Sequence, residues 1–153
     1  MMIEGVKVKI LKVIPDNRGR LMEILRVSET KIQPQQVYLT TAYENVVKDK
    51  EYFHMHKNQT DFFCCVRGKI KLVLVDAREN SKTEGEINEF EIGEENFCLI
   101  TIPKRILHAF KSLKDEAIII NSIDHEYSRE NPDELRVKNK YYDWDKLSPL
   151  ESI

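Results

Sequence analysis

The chain has no apolar run long enough to cross a bilayer, so no helical membrane span is expected. It has no excess of charge either. Its 24 basic and 26 acidic residues are interspersed and leave a net charge of −2, so no electrostatic footprint for nucleic acid appears. Proline and glycine are sparse, at five each, and no linker, repeat or low-complexity tract interrupts the pattern. The segment Met1–Ile14 alternates apolar and lysine residues and lacks the continuous apolar core of a signal peptide. Cysteine is limited to three residues, an odd number. Cys64 and Cys65 are adjacent in a strand-like run, and neighbouring side chains on a strand face opposite ways, so these two do not pair. All three are expected to be reduced, buried as small hydrophobes, in a cytoplasmic protein. The single tryptophan, Trp144, lies near the C-terminus, so the Cys–Trp–Cys pattern of an immunoglobulin-like sandwich is absent.

What is present describes one globular domain over residues 1–153, with 41% hydrophobic and 33% charged residues. Short strand-like segments alternate with turn signals. Val6–Ile14 leads to the turn Pro15-Asp16-Asn17-Arg18-Gly19, then Leu21–Val27 and Gln35–Tyr43 follow. Tyr52–His56 and Phe62–Val66 come next, and Arg67-Gly68 reads as a turn into Lys69–Asp76. Glu86–Ile92, Phe97–Ile102, His108–Leu113 and Ala117–Ile123 complete the series, and only the acidic tail after Asn131 has helical periodicity. About ten short strands at this spacing predict an all-β fold, a jelly-roll barrel or sandwich with little helix. Val6–Ile14 is expected to be an edge strand, which tends to find a partner.

The stretch with the most chemistry in it is Phe53-His54-Met55-His56-Lys57-Asn58-Gln59-Thr60-Asp61, followed by Gly68. Residues two apart on a strand share a face, so His54 and His56 project together, and Asp61 opens the next strand after a short turn. Further on, Pro103 and His108 have the spacing P-x4-H. The two patterns resemble the paired motifs of the cupins over roughly Glu51 to Phe110. That resemblance implies a cupin-type jelly-roll barrel whose mouth gathers His54, His56, Asp61 and His108. Three nitrogens and one oxygen would suit a divalent transition metal such as Fe, Mn, Ni or Zn. His125 sits in a different, polar context and is expected to be ordinary.

A second resemblance runs along nearly the whole chain. Asp16-Asn17-Arg18-Gly19 with Glu23, the run Gln59 through Gly68 to Val75-Asp76-Ala77-Arg78, Ser81-Lys82-Thr83 with Gly85, Ile102-Pro103 leading to His108-Ala109-Phe110, and Tyr127-Ser128 fall in order. Together they resemble the dTDP-4-dehydrorhamnose 3,5-epimerase family. This implies a cofactor-independent epimerase acting on a nucleotide-linked keto sugar, and a homodimer assembled near the N-terminal strand. It further implies His56 as base, Tyr127 as the acid on the opposite face and His108 as a catalytic neighbour. Arg18, Glu23, Gln36, His54 and Asp61 would then contact the substrate.

The chemistry explains the roles. A proton next to a ketone is acidic, and epimerisation removes it and returns one on the other face. This requires a base, an opposed acid and something to stabilise the enolate oxygen. Histidine suits a base at neutral pH. Three positions depart from the family pattern: its arginine before the histidine is Phe53, its lysine falls on Asp61, and its C-terminal aspartate has no match. Two alternatives follow, a metal-dependent cupin enzyme with the His/His/Asp/His set and a non-catalytic sugar-binding cupin.

Overall fold

In a computed structural model, which describes residues 1–146, the chain is almost entirely β. The elements are β1 (Lys7–Ile10), β2 (Val13–Asp16), β3 (Gly19–Met22), a one-turn α1 (Val27–Thr30), β4 (Gln36–Ala42), β5 (Tyr52–His56), β6 (Asp61–Val75), β7 (Ile87–Gly93), β8 (Cys98–Ile102), β9 (Leu107–Ile123) and β10 (Glu134–Lys138).

The frame is one long antiparallel pair, β6 against β9, running from Asp61↔Ile123 to Val75↔Leu107. Both strands bend midway. The register shifts between Cys65 and Ile70, Gly68 has φ 70° and Asp115 has φ 56°. A bulge of this kind turns a strand without ending it. Only glycine fits at the bend, since a Cβ on Gly68 would lie 2.6 Å from the Lys114 carbonyl oxygen. Arg67-Gly68, expected as a turn between two strands, is therefore a corner within one strand, and His108–Leu113 and Ala117–Ile123 are likewise halves of β9.

The corner folds the sheet over on itself. The first half of β6 pairs with β8, which pairs with β1, while the far half of β9 pairs with β4. The second half of β6 pairs with β7, while the near half of β9 meets β5, which pairs with β10. Two layers result, the jelly-roll arrangement expected from the strand count. The core between them contains Phe63, Cys65, Ile70, Leu72, Leu74, Ile92, Ile100, Ile102, Phe110 and Ile119. Val73 and Val75 are equally buried but face outward, under Phe53, Trp144 and Val137. All three cysteines are free and buried.

Three expectations about local structure are corrected. Val6–Ile14 is not one strand, because the chain breaks at Leu11–Lys12 and β2 pairs with β3 in a separate hairpin. Leu21–Val27 ends as a strand at Met22, because consecutive Ile24 and Leu25 both pack on one patch with Phe62 and Phe97, which a period of two forbids. The tail after Asn131 forms β10 rather than a helix. It completes β5 in register Glu134↔His56 and Arg136↔His54, and Val137 covers Phe53. Among the described residues no helix is long and apolar enough to cross a membrane.

Candidate active site

Residues directly opposite in an antiparallel pair share a face. On one layer the pairing His54↔His108 places those two on the inner face of β5 and β9, with His56 two residues on. Phe53, between the faces, points the other way and is fully buried beside Trp144, ring centroids 6.3 Å apart. On the other layer Tyr38↔Asn121 and Phe63↔Asn121 form a rung, and Asp61 lies two residues from Phe63 on the same face. The histidines therefore face Tyr38, Asn121 and Asp61 across the open end of the jelly roll.

His56 and His108 stand with ring centroids 5.3 Å apart, and His54 lies 6.5 Å from His108. His56 is 8% exposed and its Nε2 is 3.6 Å from Asp61 Oδ2. The other Asp61 oxygen accepts N–H groups from Gln59 at 2.7 Å and Asn121 at 2.8 Å. A carboxylate at this depth requires such partners. His108 Nδ1 lies 3.1 Å from the Ile106 carbonyl, which can only accept, so this nitrogen carries the proton and Nε2 keeps its lone pair. Burial holds the His108 pKa below the usual histidine value, against an opposing pull from Asp61.

His54 takes a different part. Its Nδ1 bonds the Glu134 carboxylate and its Nε2 is 3.1 Å from Asp49. The Glu134 hydrogen bond raises the His54 pKa, and the same bond lowers that of Glu134. The linkage follows directly. The raised His54 contributes stability that is complete below the ordinary histidine pKa and is lost as pH rises through its shifted value. The lowered Glu134 contributes stability that is lost as pH falls below the ordinary glutamate range. In Glu134→Gln, the His54 titration followed by NMR is expected to move down.

Two hollows that share Tyr38, His56 and Glu134 lie against these groups. The outer one, about 560 Å³, is lined by Gln36, Tyr38, His56, Gln59, Tyr127 and Glu134. The inner one, about 180 Å³, adds His54, His108, Asn121 and Lys48. Tyr127 stands at the rim with 63% of its surface exposed, its backbone N–H held by Gln36 Oε1 at 2.7 Å. His125 is exposed on the same rim and bonds Asp124. Arg18 and Glu23 line neither hollow. Arg18 is paired with Asp16 on the β2–β3 hairpin, and Glu23 with Arg26.

Of the four residues expected to hold a metal, His56, Asp61 and His108 bring donor atoms within 4.8 Å of one another, and His54 does not join them. Tyr38, Asn121 and Lys48 were not singled out by the sequence. A signal existed for Tyr38. In Gln36-Val-Tyr38-Leu-Thr40 the polar residues face the hollow, and Val37 and Leu39 face out, each 60% exposed.

The chain matches the family model described as dTDP-4-dehydrorhamnose 3,5-epimerase across residues 1–150. It belongs to that family. Among similar members is a protein of Haloferax volcanii named "Probable low-salt glycan biosynthesis epimerase", 39% identical over 139 residues, which span 88% of this chain and 87% of the relative. A spore coat polysaccharide biosynthesis protein of Bacillus subtilis is 36% identical over 138 residues, 89% of each chain. The crystal structure of a dTDP-4-dehydrorhamnose 3,5-epimerase from Sulfolobus tokodaii superposes with a TM-score of 0.82 at 28% identity, covering 95% of this chain and 84% of that one. As a member of this epimerase family, the chain has the jelly-roll fold that its strand pattern predicts.

Proposed function

We propose that this family member epimerises a nucleotide-linked keto sugar by proton abstraction and return, in the service of glycan synthesis. The observation that carries the reading is the pairing of His56, which lines both hollows, with Asp61 buried behind it. His56 is the base. Once it accepts a proton it is an imidazolium, and Asp61 at Nε2 is placed to steady that charge. In this reading Asp61 takes the part of orienting the histidine that the family gives to another aspartate. It stands where the family has a lysine, and among the described residues Lys48 is the one lysine lining the inner hollow, its Nζ donating to the Thr41 carbonyl at 2.8 Å and having to leave it to reach an enolate oxygen. Tyr127 and Gln36 at the rim contact the sugar or its nucleotide. The reaction uses no cofactor.

His56, Asp61 and His108 favour a second reading, a bound divalent ion. Against it, one Asp61 oxygen already takes two amide hydrogens and His54 is engaged by Glu134 and Asp49. Metal analysis of the purified protein decides between them, and stoichiometric Fe, Mn, Ni or Zn would favour the ion. The test of epimerisation itself is incubation with a thymidine diphosphate 4-keto-6-deoxy sugar, with the ring proton couplings read by NMR. Inverted couplings are expected, and an unchanged sugar that nevertheless binds would make the protein a binding module.

The protein is further proposed to be a cytoplasmic homodimer. β1 and β4 are open sheet edges among the described residues, and Ile10, Val37 and Leu39 are exposed beside them. In a two-fold pair the β2–β3 hairpin of one copy could bring Arg18 to the diphosphate held by the other, which would explain why Arg18 stands away from its own cavity. Light scattering at micromolar concentration is expected to give the mass of a dimer, and a monomer would contradict this assembly.

A further inference from the structure

We propose that the Tyr38 hydroxyl is the acid that returns a proton to the sugar, from the cavity wall opposite His56. This inference rests on the epimerase reading and gives the acid's part, which the family resemblance assigns to Tyr127, to a different residue.

Geometry selects Tyr38. Inversion needs the proton to leave on one face of the sugar ring and arrive on the other, so base and acid must stand on opposed walls. His56 enters the cavity from β5, in the layer made by the near half of β9. Tyr38 enters from β4, in the facing layer. Both line the outer hollow and the inner one. Tyr127 lines only the outer hollow, and its ring is largely in solvent.

The hydrogen bonds around Tyr38 leave its proton available. Asn121 Nδ2 donates to the Tyr38 oxygen at 2.8 Å and to Asp61 Oδ1 at 2.8 Å. The orientation of that amide is not arbitrary. A carboxylate can only accept, so the nitrogen side of Asn121 must face Asp61, and both amide hydrogens are then committed. The phenol oxygen therefore accepts from Asn121, and among the described residues its own hydrogen has no other acceptor. It is free to point at a bound ring. Burial, with the nearby Asp61 charge, pushes the Tyr38 pKa up to about 12, so the group stays protonated until substrate takes its proton.

The step balances. His56 removes the proton α to the ketone, and the C–H electrons move to form the enolate. The enolate carbon then takes the Tyr38 proton on its other face as the C=O re-forms. The resulting phenolate accepts the Asn121 N–H until it is reprotonated from water, and the His56 imidazolium loses its proton to water. No oxidant or further reactant is needed. Asn121 touches no reacting atom and is a positioning residue.

The test is Tyr38→Phe in heavy water with the same 4-keto-6-deoxy nucleotide sugar, deuterium entry and ring inversion being followed separately by NMR. The variant is expected to keep α-proton exchange within about tenfold of the wild type while inversion falls by about 100-fold or more. Asn121→Leu, which deletes the amide donor, should slow inversion more than exchange, and circular dichroism will report whether either variant has lost its fold. Normal inversion by Tyr38→Phe overturns the assignment, as does loss of inversion confined to Tyr127→Phe. A wild-type enzyme that neither exchanges nor inverts the sugar instead overturns the epimerase reading, and this assignment with it.

Discussion

His56→Asn is expected to abolish exchange of the sugar's α-protons, with the rate falling by about 100-fold or more, while nucleotide binding stays close to wild type. Asparagine keeps the approximate shape of the imidazole and can still form a hydrogen bond to Asp61, but it cannot accept a proton at neutral pH. The loss should therefore appear in kcat and leave KM nearly unchanged. The surroundings support a loss confined to chemistry. Asp61 retains its bonds from Gln59 and Asn121, and His108 retains its bond to Ile106. Steady-state kinetics with calorimetric titration of thymidine diphosphate separate the two quantities. A parallel collapse of binding would mean that His56 holds the ligand rather than turning it over.

Phe53→Arg, which restores the residue type the family carries at this position, is expected to destabilise the protein by about 3–5 kcal/mol instead of improving catalysis. The reason is the pleat. His54 and His56 face the cavity, so Phe53 faces the opposite side, fully buried with Trp144, Tyr141 and Val137. A guanidinium there would be taken out of water among aromatic and aliphatic side chains. Thermal unfolding should show a large fall in Tm, whereas Phe53→Leu, which keeps the site apolar, should lose much less. Equal stability of Phe53→Arg and wild type would mean that the strand can re-register or that Trp144 moves aside.

The cavity-facing side of β5 was legible because its signal is local: two histidines two apart on a strand must share a side. His108 was legible from its spacing to Pro103, and its ring lies beside His56 as expected. The halves of β6 and β9 were read as separate strands because a glycine after a charged residue looks the same in sequence whether it makes a tight turn or a corner. Only long-range pairing with the opposite strand distinguishes them. Tyr38 was missed for a related reason. A tyrosine among Val, Leu and Thr reads as strand propensity, and its hydrogen-bond partner, Asn121, is 83 residues away in sequence. Asp61 was noticed as an acid out of place, but its approach to His56 depends on the fold closing the two layers. Arg18 was carried by a motif, and within one protomer the hairpin places it away from the cavity.

The central claim, that this cavity moves protons at carbon, is tested most directly by wild-type protein in heavy water with a thymidine diphosphate 4-keto-6-deoxy sugar. Deuterium is expected to enter a position next to the ketone, at a rate that depends on enzyme concentration and survives exhaustive removal of metal by a chelator. Tight binding of the nucleotide sugar with no deuterium entering over many hours would contradict the account.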